Sequence, residues 1–228
     1  MDSIIEKYQL FIDLLPLLMT GLWMTFKVSM FAIIIGSLLG FFLGILRTLN
    51  NKIITNIIGL YLHIFRGTPY LVQLYLIYFV LPSFDVEFLK FDSFTAAIVS
   101  LSLYTSSYVT EIVTAAINAV PKGQSEGARS VGMSKIQSLY HIVVPQALKL
   151  SIPPMSGVYV IIIKSTALLS VIGISELTRQ GENAILRLPG NLMFIYFVIA
   201  LMYFIYCYPV LRFSAWAEKR YGSIGVDH

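Results

Sequence analysis

A long apolar run, Leu17 to Leu46, reads LLMTGLWMTFKVSMFAIIIGSLLGFFLGIL and contains Lys27 as its only charged residue. A helix needs about 20 predominantly apolar residues to cross the hydrocarbon core of a bilayer. The run is also too long for the hydrophobic part of a signal peptide, which covers about 7–15 residues. It therefore predicts a transmembrane helix.

The composition of the whole chain agrees with this interpretation. Only 12% of the 228 residues are charged and 57% are hydrophobic, with a mean hydropathy of +0.78. An ordinary soluble domain carries about 25% charged residues, and disordered chains combine low hydrophobicity with high charge. The composition thus excludes a disordered chain and disfavours a soluble globule. The single cysteine, Cys207, excludes an intrachain disulfide.

Further apolar runs predict more membrane spans. They lie at about residues 53–82, 94–120, 152–173 and 191–211. Because lipid offers the backbone no hydrogen-bond partners, such runs cross as helices. The sequence thus predicts an all-α integral membrane protein with five transmembrane helices. Residues 3–15 have apolar side chains at helical spacing and predict a short amphipathic helix on the membrane surface.

The predicted organisation is a single transmembrane domain. Residues 1–228 divide into an interfacial amphipathic segment (1–16), a five-span core (17–215), a loop (121–150) between spans three and four, and a tail (216–228).

Basic residues predict the orientation, since cytoplasmic segments carry an excess of Lys and Arg. With the N-terminus outside, nine basic residues fall on the cytoplasmic side and four on the outside. The nine are Arg47, Lys52, Lys122, Arg129, Lys135, Lys149, Arg212, Lys219 and Arg220. The N-terminus is therefore predicted outside, and both the C-terminus and the loop 121–150 in the cytoplasm.

This loop reads PKGQSEGARSVGMSKIQSLYHIVVP up to Pro145 and predicts two short helices. The first covers about 124–131, consists of small residues, and ends at Gly132, which suits the position after a helix. Ser134 and Gln137 form a capping box for the second helix, which is expected to stop at Pro145. A helix of small residues can lie close against the backbone of another protein, or it can pack on its own bundle.

The loop resembles the EAA loop of bacterial ABC importer permeases. The residues that carry the resemblance are Glu126-Gly127-Ala128, Gly132 six residues after Glu126, and Val144-Pro145-Gln146-Ala147. Gly127 stands where the motif has Ala, which keeps the position small. Other segments resemble the polar amino acid permeases of the histidine/glutamine type, over about residues 17–215. They are Phe65-Arg66-Gly67-Thr68-Pro69, Tyr108-Val109-Thr110-Glu111 and Lys164-Ser165-Thr166-Ala167-Leu168, with Ala167 where that family has Ser.

The resemblance implies the permease subunit of an ATP-driven polar amino acid importer in the inner membrane of a prokaryote, working by alternating access. It implies pairing with a second permease chain, identical or homologous, two ABC ATPase subunits, and an extracytoplasmic amino acid-binding protein. The residues implied in coupling to the ATPase are Glu126, Gly127, Ala128, Arg129 and Gly132. The chain itself is not expected to be an enzyme, because it has no G-x-x-x-x-G-K-[ST] stretch. No cofactor, metal or nucleic acid is expected on it, and ATP and Mg belong to the ATPase.

Charged residues inside the predicted spans indicate a site, since such charges are costly and usually face a cavity or a partner. At about 1.5 Å per residue, Arg66, Glu111 and Lys164 lie about 20, 14 and 18 Å from the inner boundary. These similar depths predict one shared polar site, in which Glu111 binds the ammonium of an amino acid and Arg66 or Lys164 its carboxylate. Alternatively, the charges pair to hold the bundle or to gate it. Substrate contacts are then left to hydroxyls such as those of Thr68, Ser165 and Thr166.

Two backbone features are predicted as well. Gly67-Thr68-Pro69 interrupts span two and predicts a kink. Gly36, Gly40 and Gly44 form a stripe that allows close helix packing. Two other functions remain open from the sequence: a secondary amino acid carrier, and a channel or scaffold subunit that does not transport.

Overall fold

The computed structural model describes the backbone of residues 2–49 and 51–221, and the side chains from residue 5 onward. Within these residues the structure is helical and contains no β-strand. The α-helices are α1 (Asp2–Thr48), α2 (Lys52–Gly67), α3 (Tyr70–Tyr75), α4 (Ser93–Ala119), α5 (Lys122–Ser130), α6 (Lys135–Ser138), α7 (Val144–Ser165), α8 (Leu177–Arg187) and α9 (Leu192–Tyr221). A π turn (Leu76–Val80) and 3₁₀ turns (Leu81–Phe84, Glu87–Leu89) follow α3.

Four helical stretches are long and apolar enough to cross a membrane. They are Ile5–Thr48, Ser93–Ala119, Lys135–Ile172 and Pro189–Tyr221. The fifth predicted span is α2 followed by Tyr70–Phe84, a pair bent by 107°. The all-α fold is therefore confirmed, and the number of spans is five if this bent pair is one span. The bend falls at Thr68-Pro69, where the sequence predicts a kink.

The glycine stripe brings α1 into backbone contact with α4. A Cβ added at Gly36 would lie 2.7 Å from the carbonyl oxygen of Ser102, and one at Gly40 would lie 2.8 Å from that of Ser106. Real Cβ atoms do not approach this closely, so only glycine fits at these positions. The stripe thus sets both the distance and the register between the two helices, as predicted.

At the N-terminus the structure differs from the sequence prediction. Residues 3–15 do not form a separate short helix but continue through Pro16 into the first span, as a helix of 47 residues. Pro16 removes one backbone hydrogen bond. The helix nevertheless continues because Leu14 and Leu18 are buried against Leu177 of α8 and Ile195 of α9.

The segment before the fourth span also differs. The second helix of the loop does not stop at Pro145, and the span does not begin near 152. Instead α6, a π turn (Leu139–Val143) and α7 form one stretch, with Pro153 and Pro154 inside α7. In the π turn the N–H of Val144 donates to the carbonyl of Leu139. The turn is already widened there, so Pro145 enters without ending the helix.

The predicted outside loop 174–190 contains α8, capped by a buried carboxylate. Glu176 is fully buried and accepts hydrogen bonds from the backbone N–H groups of Thr178 (2.8 Å) and Arg179 (2.7 Å) and from the hydroxyl of Tyr203 (3.0 Å). Burial raises the pKa of Glu176, and the donated hydrogen bonds partly oppose that rise. The carboxylate thus fixes α8 to α9. Helix α9 extends through Tyr221 into the predicted tail, whose residues 222–228 lie outside the described part of the chain.

Candidate functional site

Three charged side chains meet where α1, α2 and α4 approach one another. The Oε2 atom of Glu111 on α4 lies 2.8 Å from Nη1 of Arg47 and 3.2 Å from Nη1 of Arg66. Arg47 stands in the last turn of α1 and Arg66 in the last turn of α2. One carboxylate therefore bridges two guanidinium groups, a charge-assisted arrangement that is stronger than neutral hydrogen bonding.

The position of Arg47 follows from the glycine stripe. A Cβ at Gly44 would lie 2.7 Å from Cβ of Val113 and 3.1 Å from the carbonyl oxygen of Thr110. In this register Arg47, which lies in the next turn of α1, faces Glu111 on α4. From the sequence, Arg47 was expected only on the cytoplasmic flank of the first span. Continuing the stripe by three residues would have found it.

The position of Arg66 follows from the break in span two. Pro69 lacks the N–H that would donate to the carbonyl of Phe65 in a continuous helix. The side-chain amide of Gln73, which is 5% exposed, takes over this role. Its Nε2 lies 2.8 Å from the Phe65 carbonyl oxygen, 3.0 Å from the Thr68 carbonyl oxygen and 2.9 Å from Thr68 Oγ1. Gln73 thus closes the bend and holds the end of α2, where Arg66 is located.

The charges line a cavity of about 350 Å³. Its walls are formed by Arg47, Gly59, Leu62, His63, Arg66, Gly67, Tyr108 and Glu111. The guanidinium carbon of Arg66 lies 5.4 Å from the centroid of the Tyr108 ring, within the range of a cation–π contact. Tyr108, one turn before Glu111, belongs to the polar face of span three, whereas no sequence pattern pointed to His63 as a site residue. With two arginines and one glutamate, the charged groups favour an anion.

Lys164 is not part of this cluster, which corrects the expectation of one site containing all three predicted charges. It is exposed on α7, and within the described residues it has no ion pair. The depth of Lys164 was calculated for a span that begins near residue 152, whereas α7 begins at Val144. In addition, the depth of a residue along a helix does not determine the direction in which its side chain points.

The predicted hydroxyl groups bind backbone carbonyls of their own helices. Thr68 donates to Ile64, Ser165 to Ile161 and Thr166 to Ile163, at 2.7, 2.9 and 2.7 Å. Thr68 also accepts from Gln73 at the bend. Ser165 and Thr166 stand where α7 tightens into a 3₁₀ turn, Thr166–Ile172. In this structure these hydroxyls therefore stabilise helix ends.

The predicted coupling segment forms α5, Lys122–Ser130, which is close to the expected 124–131. Gly132 follows it with φ of +93°, a left-handed conformation that disfavours other residues. The N–H of Met133 donates to the Ala128 carbonyl (3.2 Å) and that of Gly132 to the Arg129 carbonyl (3.1 Å), which is a Schellman motif. The predicted capping box of α6 is confirmed, since Ser134 and Gln137 bond each other reciprocally.

The surface of α5 suits close contact with another chain. Ala128 is buried, whereas Glu126, Gly127 and Arg129 are exposed. No heavy atom lies within 4 Å of a Cβ added at Gly127. Val131, after the helix, is 76% exposed.

A charged cavity between helices of membrane length is the arrangement expected of a solute path. Residues 32–223 match the family described as the binding-protein-dependent transport system inner membrane component. The chain therefore belongs to this family. It is a permease subunit of an ABC transporter, and ATP hydrolysis belongs to a separate subunit. The family implies an ATPase and a solute-binding protein as partners, and it favours a transport subunit over the carrier and scaffold functions that the sequence left open.

Several characterised proteins resemble the chain over most of its length. It is 33% identical over 205 residues to the L-cystine transport system permease protein TcyB of Bacillus subtilis (strain 168), covering 90% of this chain and 86% of that one. It is 35% identical over 171 residues to the glutamine transport system permease protein GlnP of Escherichia coli (strain K12), covering 75% and 78%.

Solved structures have the same fold. A crystal structure of an amino acid ABC transporter with histidines matches with a TM-score of 0.82 and 34% identity, over 92% of this chain and 96% of that one. An inward-facing MetNI methionine ABC transporter matches with a TM-score of 0.71 at 19% identity, over 90% and 98%, and supports the fold alone.

Proposed function

We propose that this chain is the path by which a polar amino acid crosses the cytoplasmic membrane of a prokaryote, in an importer that works by alternating access. The observation that carries the proposal is the match over 92% of the chain, at 34% identity, to an amino acid ABC transporter. The named functions of TcyB and GlnP, in cystine and glutamine transport, support the same class of substrate.

The charged cavity supplies a chemical basis for recognising an amino acid. From the sequence, Glu111 was expected to bind the substrate ammonium, but its Oε2 already binds two arginines. The substrate carboxylate is a better match, because it can replace Glu111 at Arg66 while Arg47 keeps Glu111 in place. Arg66 thus has two alternative anionic partners, and the exchange between them opens or closes the contact between α2 and α4.

Exchange of the carboxylate can be tested by comparing substitutions at Glu111 and Arg66. Glu111→Gln removes the competitor for Arg66, so we expect a lower KM for uptake with the complex still assembled. Arg66→Gln should raise KM by an order of magnitude or more, because a charge-assisted contact with the substrate contributes about 1.5–3 kcal/mol. Lys164→Gln is the matched control, because this lysine is outside the cavity. Equal KM values for all three variants would reject the exchange.

The partners follow from the same proposal. Two ATPase subunits bind below a pair of permease chains, identical or homologous, and each receives an α5 helix through Glu126, Gly127, Ala128, Arg129 and Gly132. An extracytoplasmic binding protein delivers the amino acid. The N-terminus is outside and the C-terminus is cytoplasmic, as the excess of basic residues indicates.

Reconstitution tests the function. The permease and its ATPase are placed in proteoliposomes with ATP inside and the binding protein and radiolabelled glutamine or cystine outside, and uptake is measured. We expect uptake to require ATP hydrolysis, so an ATPase variant unable to hydrolyse ATP is the control. Uptake by the permease alone, without ATP, would instead indicate a secondary carrier.

Orientation requires a separate experiment. In a Cys207→Ser background, Lys90→Cys should react with an impermeant thiol reagent on intact cells, and Ser130→Cys should react only after lysis. The opposite pattern would reverse the proposed topology.

A further inference from the structure

A groove lies beside the coupling segment, at the end of α1. It has a volume of about 340 Å³. The residues that line it include Thr48 and Leu49 at the end of α1, Arg129 of α5, and Lys135, Ile136 and Ser138 of α6. Thr48 and Leu49 also line a second cavity of about 420 Å³, together with Arg47 and Lys52 among others.

The groove has cationic side chains without an anionic partner. Arg129 and Lys135 are both exposed, and neither takes part in an ion pair among the described residues. In the proposed orientation this surface belongs to the cytoplasmic side, where basic residues are in excess. Two guanidinium or ammonium groups beside one groove favour a ligand with a phosphate group.

Apolar side chains also line the groove, as does an unsatisfied hydroxyl. Leu49 is 37% exposed and Ile136 is 66% exposed, next to the end of a membrane-length helix. Ser138 is 2% exposed, and its Oγ has no hydrogen-bond partner among the described residues. A buried hydroxyl without a partner is unfavourable, so it indicates a missing acceptor such as a phosphate oxygen.

We propose that this groove binds an anionic phospholipid of the inner leaflet. The phosphate contacts Arg129 and Lys135 and accepts from Ser138, and an acyl chain lies along Leu49 and Ile136. Basic pockets between membrane helices on the cytoplasmic side bind anionic headgroups in this way. The inference rests on the proposed orientation.

A lipid fits this groove better than an acidic surface of the ATPase. The groove adjoins the end of α1, where Leu49 and Ile136 expose apolar surface, whereas the exposed Val131 and Gly132 that follow α5 line a different cavity, shared with Met133, Gln137 and His141. The bound lipid would thus connect the end of α1 to Arg129 and Lys135 from the membrane side, while Glu126, Gly127 and Gly132 remain exposed for the partner.

Native mass spectrometry of the purified permease–ATPase complex tests the proposal. The complex is titrated with phosphatidylglycerol or with phosphatidylcholine of the same acyl chains, and bound lipid is counted for wild type and for Arg129→Gln/Lys135→Gln. We expect preference for phosphatidylglycerol and a drop in its affinity of about fivefold for each cation removed, since each contributes about 1 kcal/mol near a membrane surface. Lys149→Gln/Arg212→Gln removes two exposed basic residues outside the groove and should bind phosphatidylglycerol like wild type.

Of the other outcomes, only one supports the inference. Equal phosphatidylglycerol binding in both double variants would reject the site, and loss of the ATPase with lipid binding unchanged would assign the groove to the partner. If Arg129→Gln/Lys135→Gln loses both the ATPase and the lipid, lipid binding is measured on wild-type permease from which the ATPase has been removed. Lipid retained by this permease supports the groove as its site, and loss of the lipid refutes it. Displacement of the lipid by equimolar inorganic phosphate would make it a phosphate site instead. The thiol-labelling experiment tests orientation separately, so a wrong topology and a wrong lipid site are distinguishable.

Discussion

Replacing Gln73 with methionine should destabilise the bend of span two more than any comparable polar substitution on the surface. Methionine keeps the length and flexibility of the side chain but cannot donate to the carbonyls of Phe65 and Thr68, which lie 2.8 and 3.0 Å from Nε2. The Phe65 carbonyl has no alternative donor from the backbone, because Pro69 has no N–H.

The size of the effect follows from these contacts. The amide nitrogen has two hydrogens, so two hydrogen bonds are lost, each contributing about 0.5–1.5 kcal/mol to stability. Leaving a buried carbonyl unpaired costs about 1–3 kcal/mol. Together these terms amount to about 2–6 kcal/mol. Methionine also removes Gln73 Oε1, a buried atom with no hydrogen-bond partner among the described residues, which offsets about 1–3 kcal/mol of this loss. The net loss expected is therefore about 1–3 kcal/mol. For a chain of 150–250 residues, about 2–4 °C per kcal/mol gives a decrease in Tm of about 2–12 °C.

The single cysteine provides the assay. Cys207 is 4% exposed in the folded chain, so a thiol-reactive fluorogenic dye reports its exposure as the purified complex unfolds on heating. Gln9→Met is the control, because Gln9 is exposed and bonds only Asp13 (3.0 Å) among the described residues. We also expect lower uptake for Gln73→Met, because the bend positions Arg66. A Tm for Gln73→Met within 1 °C of the control, by this dye assay, would refute the role of Gln73.

Three further predictions concern packing, the coupling segment and pH. Gly40→Ala should lower stability by about 1–3 kcal/mol through overpacking, since its Cβ would lie 2.6 Å from that of Val109. Gly157→Ala is the control, because no heavy atom lies within 4 Å of the added Cβ, and it should be neutral or stabilising in the same melting assay. Equal losses of stability in Gly40→Ala and Gly157→Ala would contradict the packing argument. Gly132→Ala should reduce copurification of the ATPase, because the left-handed φ of +93° costs a residue with a Cβ about 1–2 kcal/mol, whereas Gly127→Ala should not. Burial raises the pKa of Glu176 above its ordinary value of 4.5. The protonated carboxyl group therefore stabilises the folded chain below pH 4.5, and this stabilisation is lost as the pH rises through the raised pKa. The Tm of Glu176→Gln relative to wild type should therefore increase from pH 5 to pH 8, and a constant difference would contradict this.

Features that depend on local sequence were predictable. The apolar runs identify the spans because lipid imposes length and composition on a helix. The Gly36, Gly40 and Gly44 stripe and the turn at Gly132 were predictable for a similar reason, since only glycine satisfies a very close approach or a positive φ.

Features that depend on tertiary contacts were not predictable. Pro16 and Pro145 both indicate a helix end, but packing of Leu14 and Leu18 in one case and a π turn in the other keep the helix continuous. The charged site shows the same limit. Depth along the spans placed Lys164 beside Glu111, whereas the register of α1 on α4 places Arg47 there.

The shared carboxylate at the centre of the cavity also constrains how selectivity can arise. Glu111 is held by two guanidinium groups, so a substrate ammonium would have to displace a cation from it, whereas a substrate carboxylate only has to displace Glu111 from Arg66. Every amino acid has the same α-carboxylate, so an exchange at Arg66 would respond to any of them. On the proposed mechanism the cavity therefore detects that an amino acid has arrived, and the choice among side chains belongs to contacts outside the Arg47–Glu111–Arg66 cluster.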